Sequence, residues 1–409
     1  MKMSARLIDR LVIAKDNLLR FTLAALKLIA AWFAVFVVLA LCIEGVTRLV
    51  FPYVPPSPKD YRSTRPPAYR SSAFFSQAFI DEEFSHRPWV VLPERRMVYP
   101  ADYHGRWFND ENGMRRTANS PATDRHILLV GSSTVYGAEV PDEYTIASYL
   151  QKRINDQGGV KYAVQNIGAE GVNVTQQLER LKTLEFGERD VVIFYDGGAD
   201  AVQGVFYANI DGWIVEENRK HVNDYVVKHQ AQLQRLARYC RFCDWLFVQT
   251  TDYLPEHMKH PEKIKALAVE TRDKMFSRLL QSDEYVRSRG ARFIHVLQPD
   301  LFSRPLRDFE RPLVDNHFLT MKGMGTALLE AHREFAPLTQ MLVERKVSAW
   351  DASTLFDQVN DPIFLDFGHT NELGNRIIAD FLFDVLVREG VVAGDRATNA
   401  PASAGDHER

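Results

Sequence analysis

Two stretches carry side chains whose types and spacing could do chemistry. The first is His126-Ile127-Leu128-Leu129-Val130-Gly131-Ser132-Ser133-Thr134-Val135-Tyr136-Gly137. A short apolar run ending in small residues reads as a buried parallel strand that stops at a tight turn. The segment after it, Glu143 to Ile154, is amphipathic with helical spacing, so Ser133 falls on a strand-to-helix turn. Open α/β sheets place their ligands at such carboxyl ends, and a helix start there offers free N–H groups. The second stretch is Asp366-Phe367-Gly368-His369, just before the last helical segment. A hydroxyl nucleophile needs a base within hydrogen-bond reach, and the base needs an orienting partner. Ser133, His369 and Asp366 supply those three types, with Asp366 holding the second ring nitrogen of His369. Singly, each has a plain explanation, a turn or a surface histidine. Their positions in one alternating pattern raise the chemical reading above that.

The elements that must position them alternate. Strands are expected at 126–131, 162–167, 190–195, 292–297 and 347–355. Helices are expected near 143–157, 174–184, 274–289, 324–345 and 372–388, with a loop over 361–369. Strands alternating with helices imply an α/β fold, a parallel sheet with helices on both faces. The second strand runs into Asn166-Ile167-Gly168-Ala169-Glu170-Gly171, and the third into Asp196-Gly197-Gly198-Ala199-Asp200. Residues 201–285 interrupt the rhythm as a helical insertion. Its aromatics Phe206, Tyr207, Trp213, Trp245 and Phe247 fit a lid or groove wall, and equally a small separate core.

The N-terminal part reads differently. Residues 1–21 carry Lys2, Arg6, Arg10, Lys15 and Arg20 against Asp9 and Asp16. Residues 22–43 are almost wholly apolar, interrupted by Lys27, and are long enough for a transmembrane helix. No small-x-small cleavage site follows, and Leu41 before Cys42 argues against a lipoprotein signal, so an uncleaved signal anchor is expected. Positive charge before the span predicts a cytoplasmic N-terminus and a domain outside. Residues 44–85, with six prolines from Pro52 to Pro67, predict an extended stalk, with an irregular arm packed along the domain surface as the alternative. Residues 86–125 form a lead-in whose Trp107 suits packing more than carbohydrate contact. Residues 391–409 predict a disordered tail.

Composition narrows the partners. The 409 residues carry a net charge of −3 with no basic stripe, which excludes nucleic acid as the expected partner. Three cysteines imply no disulfide framework. Cys240 and Cys243 form a C-x-x-C without a second pair for zinc, leaving a local disulfide or two free thiols open.

With these motifs in place, residues 126–388 resemble the SGNH, or GDSL-like, hydrolase family. Gly131-Ser132-Ser133 with Gly137 is similar to its first block, with Ser133 in the nucleophile's place. Asn166 to Gly171 is similar to the second, and Asp366, His369, Gly374 and Asn375 to the last. The lead-in Asn112-Gly113-Met114-Arg115 and the anchor resemble bacterial envelope members. The resemblance implies a flavodoxin-like three-layer sheet over residues 126–390 and acyl-ester chemistry at Ser133. It implies an oxyanion hole from the N–H groups of Ser133 and Gly171, and no metal or cofactor. Ser132 stands where the family often has Asp. Ala199 stands where the family has an asparagine that donates to the oxyanion, a loss worth about 10²–10³ in rate. Asn173 is a stand-in suggested by proximity in sequence. The expectation is a membrane-anchored serine esterase, SGNH type, acting on acyl esters of envelope carbohydrate or lipid in the periplasm. The alternatives are an O-acyltransferase on the same site and a catalytically impaired polysaccharide assembly protein.

Overall fold

The computed structural model describes residues 5–50, 58–85, 87–210, 242, 255–315 and 323–393. The chain divides into two units, residues 1–53 with 220–252, and residues 54–219 with 253–409.

Apart from Phe242, the described part of the first unit is the helix Ala5–Val50, of 46 residues. It contains no proline and is rich in Ala and Leu, strong helix formers. Leu18–Val50 contains a window of mean hydropathy 2.6 in which no residue is buried, while Thr47 near its end is buried. Phe33 and Phe36 each expose 67% of their surface. A span of about 20 residues crosses a bilayer, so this helix is long and apolar enough to do so. Within the same unit, the N–H of Phe242 donates to the Glu44 carboxylate at 3.0 Å.

In the second unit, β1 (Trp89–Leu92) and β2 (Met97–Pro100) make a separate antiparallel pair. The main sheet contains β3 (Tyr103–His104), β4 (Asn109–Glu111), β5 (Met114–Arg115), β6 (His126–Gly131), β7 (Ala163–Gly168), β8 (Val191–Asp196), β9 (Arg292–Leu297) and β10 (Ser348–Asp351). Its order is β10-β9-β8-β6-β7-β5-β4-β3. Strands β6 to β10 are mutually parallel. In chain order they run second, first, third, fourth, fifth across the sheet. That is the flavodoxin-like order, whose topological switch lies between β6 and β8. The short strands β5, β4 and β3 extend the sheet antiparallel beyond β7, with Arg115 opposite Asn166. The lead-in is therefore the edge of the sheet.

Alternation along each strand sends neighbouring side chains to opposite faces. Ile127, Leu129, Ile193, Ile294 and Val296 pack beneath the helices Ile146–Gln157 and Glu372–Arg388. Leu128, Val130, Val192, Phe194 and Phe293 pack beneath Val174–Leu181, Pro261–Ser288, Met324–Phe335 and Leu338–Glu344. Helices thus cover both faces, as the alternation in the sequence predicts. The helix expected over 324–345 is divided at Pro337, which has no N–H to continue it. The strand expected over 347–355 ends at Asp351.

Two expectations about domains need correction. The segment 58–85 is not an extended stalk. It forms the helices Pro58–Ser63 and Gln77–Glu83 with a tight turn at Pro67–Tyr69, and it buries Arg62, Tyr69, Phe79 and Ile80. Phe79 packs with Phe108, Phe74 and Trp107, so Trp107 is a packing residue. Prolines punctuate this arm, but its aromatics supply enough apolar surface to hold it on the domain. Nor is 201–285 an insertion throughout. Pro261–Ser288 is the crossover helix between β8 and β9, and Phe206 and Tyr207 join the core on that face. Trp213, Trp245, Phe247, Cys240 and Cys243 lie outside the described residues, as does the tail from 394.

Candidate active site

Strand β6 ends at Gly131, and Ser133 is the first residue of a single helical turn, Ser133–Tyr136, closed by Gly137 in the left-handed region. The turn sits directly on the end of β7. A Cβ on Gly168 would lie 2.1 Å from the backbone nitrogen of Tyr136, so only glycine permits this approach. Asn166 then ties the turn to β7 by donating to the Val135 carbonyl at 2.8 Å. The serine is thereby fixed at the carboxyl ends of β6 and β7, beside the switch point.

The loop before the last helix folds back on itself. The Asp366 carboxylate accepts the N–H groups of Gly368 at 2.9 Å and His369 at 2.8 Å. This is an aspartate turn of the usual kind. It brings the His369 ring onto the second carboxylate oxygen, with Nδ1 2.6 Å from Asp366. The other ring nitrogen, Nε2, lies 2.8 Å from Ser133 Oγ. Asn371 caps the following helix, accepting from Leu373 and Gly374, and donates to the Ala68 carbonyl of the arm at 2.6 Å. The three sequence-selected residues Ser133, His369 and Asp366 are therefore in one hydrogen-bonded line.

Electrostatics follows from this geometry. Burial by itself would push Asp366 up, but His369, Arg62 and the Gly368 N–H outweigh it and hold the carboxyl below the usual range. Burial would likewise push His369 down, but Asp366 outweighs it and raises the imidazole above 6.5. The His369 side chain keeps 18% of its surface exposed, so the line opens outward at its serine end.

The expected oxyanion residues are only partly accounted for. Ser133 occupies a first helical position, where the N–H has no intrahelical acceptor. Gly171 is exposed with φ +66°, a conformation other residues rarely adopt. Its carbonyl is held by the Gln203 side-chain amide. Gln203 lies in a π-helical segment, Ala201–Phe206, a type of irregularity frequent at functional sites. Asp200 holds the same loop further on, accepting the Val174 N–H at 3.1 Å. Burial and then Asp196 push Asp200 well above the usual carboxylate range. Ala199 is partly exposed and has no side-chain donor to offer. The Asn173 side-chain oxygen caps Val174–Leu181 and its backbone N–H donates to Gln176; neither bond uses the side-chain N–H donors that an oxyanion would need.

Sequence reasoning missed Arg62 and Glu139, which stand directly behind Asp366. Arg62 donates to both carboxylate oxygens of Glu139, with Nη2 to Oε1 at 2.7 Å, and its Nη2 is 3.8 Å from Asp366 Oδ2. Nothing in the sequence marks this pair, since Arg62 sits in a Pro-rich stretch 77 residues from its partner.

No family model and no curated protein matches the chain. It is similar to several solved structures. One is a protein described as lipolytic and of the G-D-S-L family from Desulfitobacterium hafniense DCB-2, with 10% identity, 64% of this chain, 99% of that chain and a TM-score of 0.36. Another is a lipase/acylhydrolase from Enterococcus faecalis, with 15% identity, 67% and 100% coverage and a TM-score of 0.32. A third is an extracellular lipase from Streptomyces rimosus, with 13% identity, 65% and 99% coverage and a TM-score of 0.35. The α/β class itself rests on the sheet described above, and the chemistry on the residues in it.

Proposed function

We propose that the protein is a serine ester hydrolase of the SGNH type that acts on acyl esters. The observation that carries this reading is the continuous line from Ser133 Oγ through the His369 ring to the Asp366 carboxylate, at 2.8 and 2.6 Å. In the first step Ser133 Oγ attacks the ester carbonyl while His369 Nε2 takes its proton. The Oγ–C bond forms and the carbonyl π-electrons move onto oxygen. Asp366 stabilises the resulting imidazolium. The tetrahedral oxyanion is met by the N–H groups of Ser133 and Gly171. Collapse breaks the bond to the leaving alcohol, which receives the proton from His369. Water then repeats the sequence on the acyl-enzyme and releases the acid.

The helix Ala5–Val50 supports a membrane anchor, and the basic residues in its N-terminal part, ahead of the apolar run, favour a catalytic domain on the outer side of a bacterial cytoplasmic membrane. Acyl esters of envelope carbohydrate or lipid are the substrates that such a location makes accessible.

The test is fluorophosphonate labelling of the full chain in detergent, beside Ser133→Ala, with p-nitrophenyl acetate turnover in parallel. Labelling and turnover that vanish together in Ser133→Ala are expected. A folded wild-type chain that neither labels nor turns over would overturn the proposal.

A further inference from the structure

We infer that Arg62, carried by the arm that leads into the sheet, is a positioning residue of the catalytic centre. Its guanidinium, shared between Glu139 and Asp366, sets the charge balance against which His369 takes up its proton. This rests on the reading of Ser133, His369 and Asp366 as the reacting set.

The geometry is that of one cation between two acids. Arg62 is 1% exposed, with Nε and Nη2 both donating to Glu139. Asp366 Oδ2, 3.8 Å from Nη2, is the same oxygen that meets His369 Nδ1. One oxygen each of Glu139 and Asp366 and one ring nitrogen of His369 lie within 4.8 Å of one another. Two buried carboxylates this close cannot both stay ionised without a cation. Arg62 supplies it, and its rigid fork lets one group serve both acids.

Glu139 is held in place from several sides. Its backbone is left-handed, with φ +71°, a conformation that persists in a non-glycine residue only where the surroundings enforce it. The Tyr69 hydroxyl donates to its carbonyl at 2.6 Å. Its own N–H donates to Glu83 at 3.1 Å, and Glu83 pairs with Arg87 at 3.2 Å. The charged and titratable groups around His369 are thus Asp366 on its own loop, Glu139 on the loop after the nucleophile turn, and Arg62 on the arm. Tyr69, Glu83 and Arg87 form the layer behind Glu139. An ion pair that merely stapled the arm would need no second acid at its far side. Here the far side is the carboxylate that orients the base.

The experiment reads the rate of fluorophosphonate inactivation against pH in the full chain, in detergent, for wild type, R62Q, R62K, E139Q and R62Q/E139Q. R62Q removes a cation and favours imidazolium, so the acid limb should move up by about one pH unit or more. E139Q removes an anion and leaves Arg62 facing Asp366 alone, so the limb should move down. The double variant should fall between the two, and R62K should shift less than R62Q. Opposite signs are the signature, because a purely structural loss lowers the plateau without moving the limb in both directions. Limbs that stay put, or move the same way, overturn the inference. If R62Q does not fold, the sign of the E139Q shift and the size of the R62K shift decide. If wild type labels at no pH, the hydrolase reading has failed. The His369 ring nitrogen shifts, assigned with H369Q and titrated in the same variants, then test the charge balance by itself, with opposite shifts upholding it and unmoved ones ending it.

Discussion

His369 Nε2 lies 2.8 Å from Ser133 Oγ, although 236 residues separate them in the chain. The contact exists because β6 and the loop before the last helix both deliver their residues to the carboxyl edge of one parallel sheet. The imidazole is held from behind by Asp366, so its free nitrogen has one direction to face.

Asp366→Asn should keep the fold and lose the catalysis. The amide can hold the ring in the wrong tautomer, with Nε2 protonated and unable to accept from Ser133. A drop in kcat of about 10⁴-fold is expected, with little change in KM. Steady-state turnover of p-nitrophenyl acetate checks it, with thermal unfolding as the control for folding.

The pH dependence has a definite sign. His369 must be neutral to act as a base, and Asp366 raises its proton affinity above 6.5. Activity should therefore fall as pH drops through that raised value, and the acid limb of kcat/KM should sit above pH 6.5. Stability runs the other way. A group with a raised folded-state pKa contributes stability that is full below its unfolded value near 6.5 and is lost as pH rises through the folded value. Matched rate and denaturant titrations across that window should show activity increasing while this contribution declines. A limb at or below pH 6.5 would contradict the ion-pair picture.

Ala199→Asn restores a side-chain donor to the segment after β8. If the oxyanion is served only by backbone N–H groups, kcat should rise by about 10²-fold, near the effect of one such donor. KM should change little, because the donor acts on charge that develops in the transition state. Unchanged kcat would mean that another group already fills that role.

Phe79→Ala probes the arm. Phe79 is fully buried, stacked on Phe108 and edge-on to Trp107. Truncating a buried phenylalanine costs about 3–5 kcal/mol. A lower urea midpoint is expected, together with a loss of activity at urea concentrations where the rest of the sheet remains folded. Loss of both at one midpoint would mean that the arm and sheet unfold as a single unit.

The sequence by itself determined the parallel sheet, because apolar strands alternating with amphipathic helices leave few other ways to bury both faces. It also singled out Ser133, Asp366 and His369, whose spacing within each motif is local and whose side chains are chemically distinctive. It left residues 58–85 open between a stalk and a packed arm, since proline content reports the local backbone and says nothing of what Tyr69, Phe79 and Ile80 pack against. It likewise gave no sign that the Asn173 side-chain oxygen caps a helix, a role fixed by where Val174–Leu181 begins. Only the tertiary structure placed Arg62 between Glu139 and Asp366. A buried charge is tolerable only beside its partner, and that partner is chosen by how the arm folds against the sheet, a long-range packing outcome that no local pattern records.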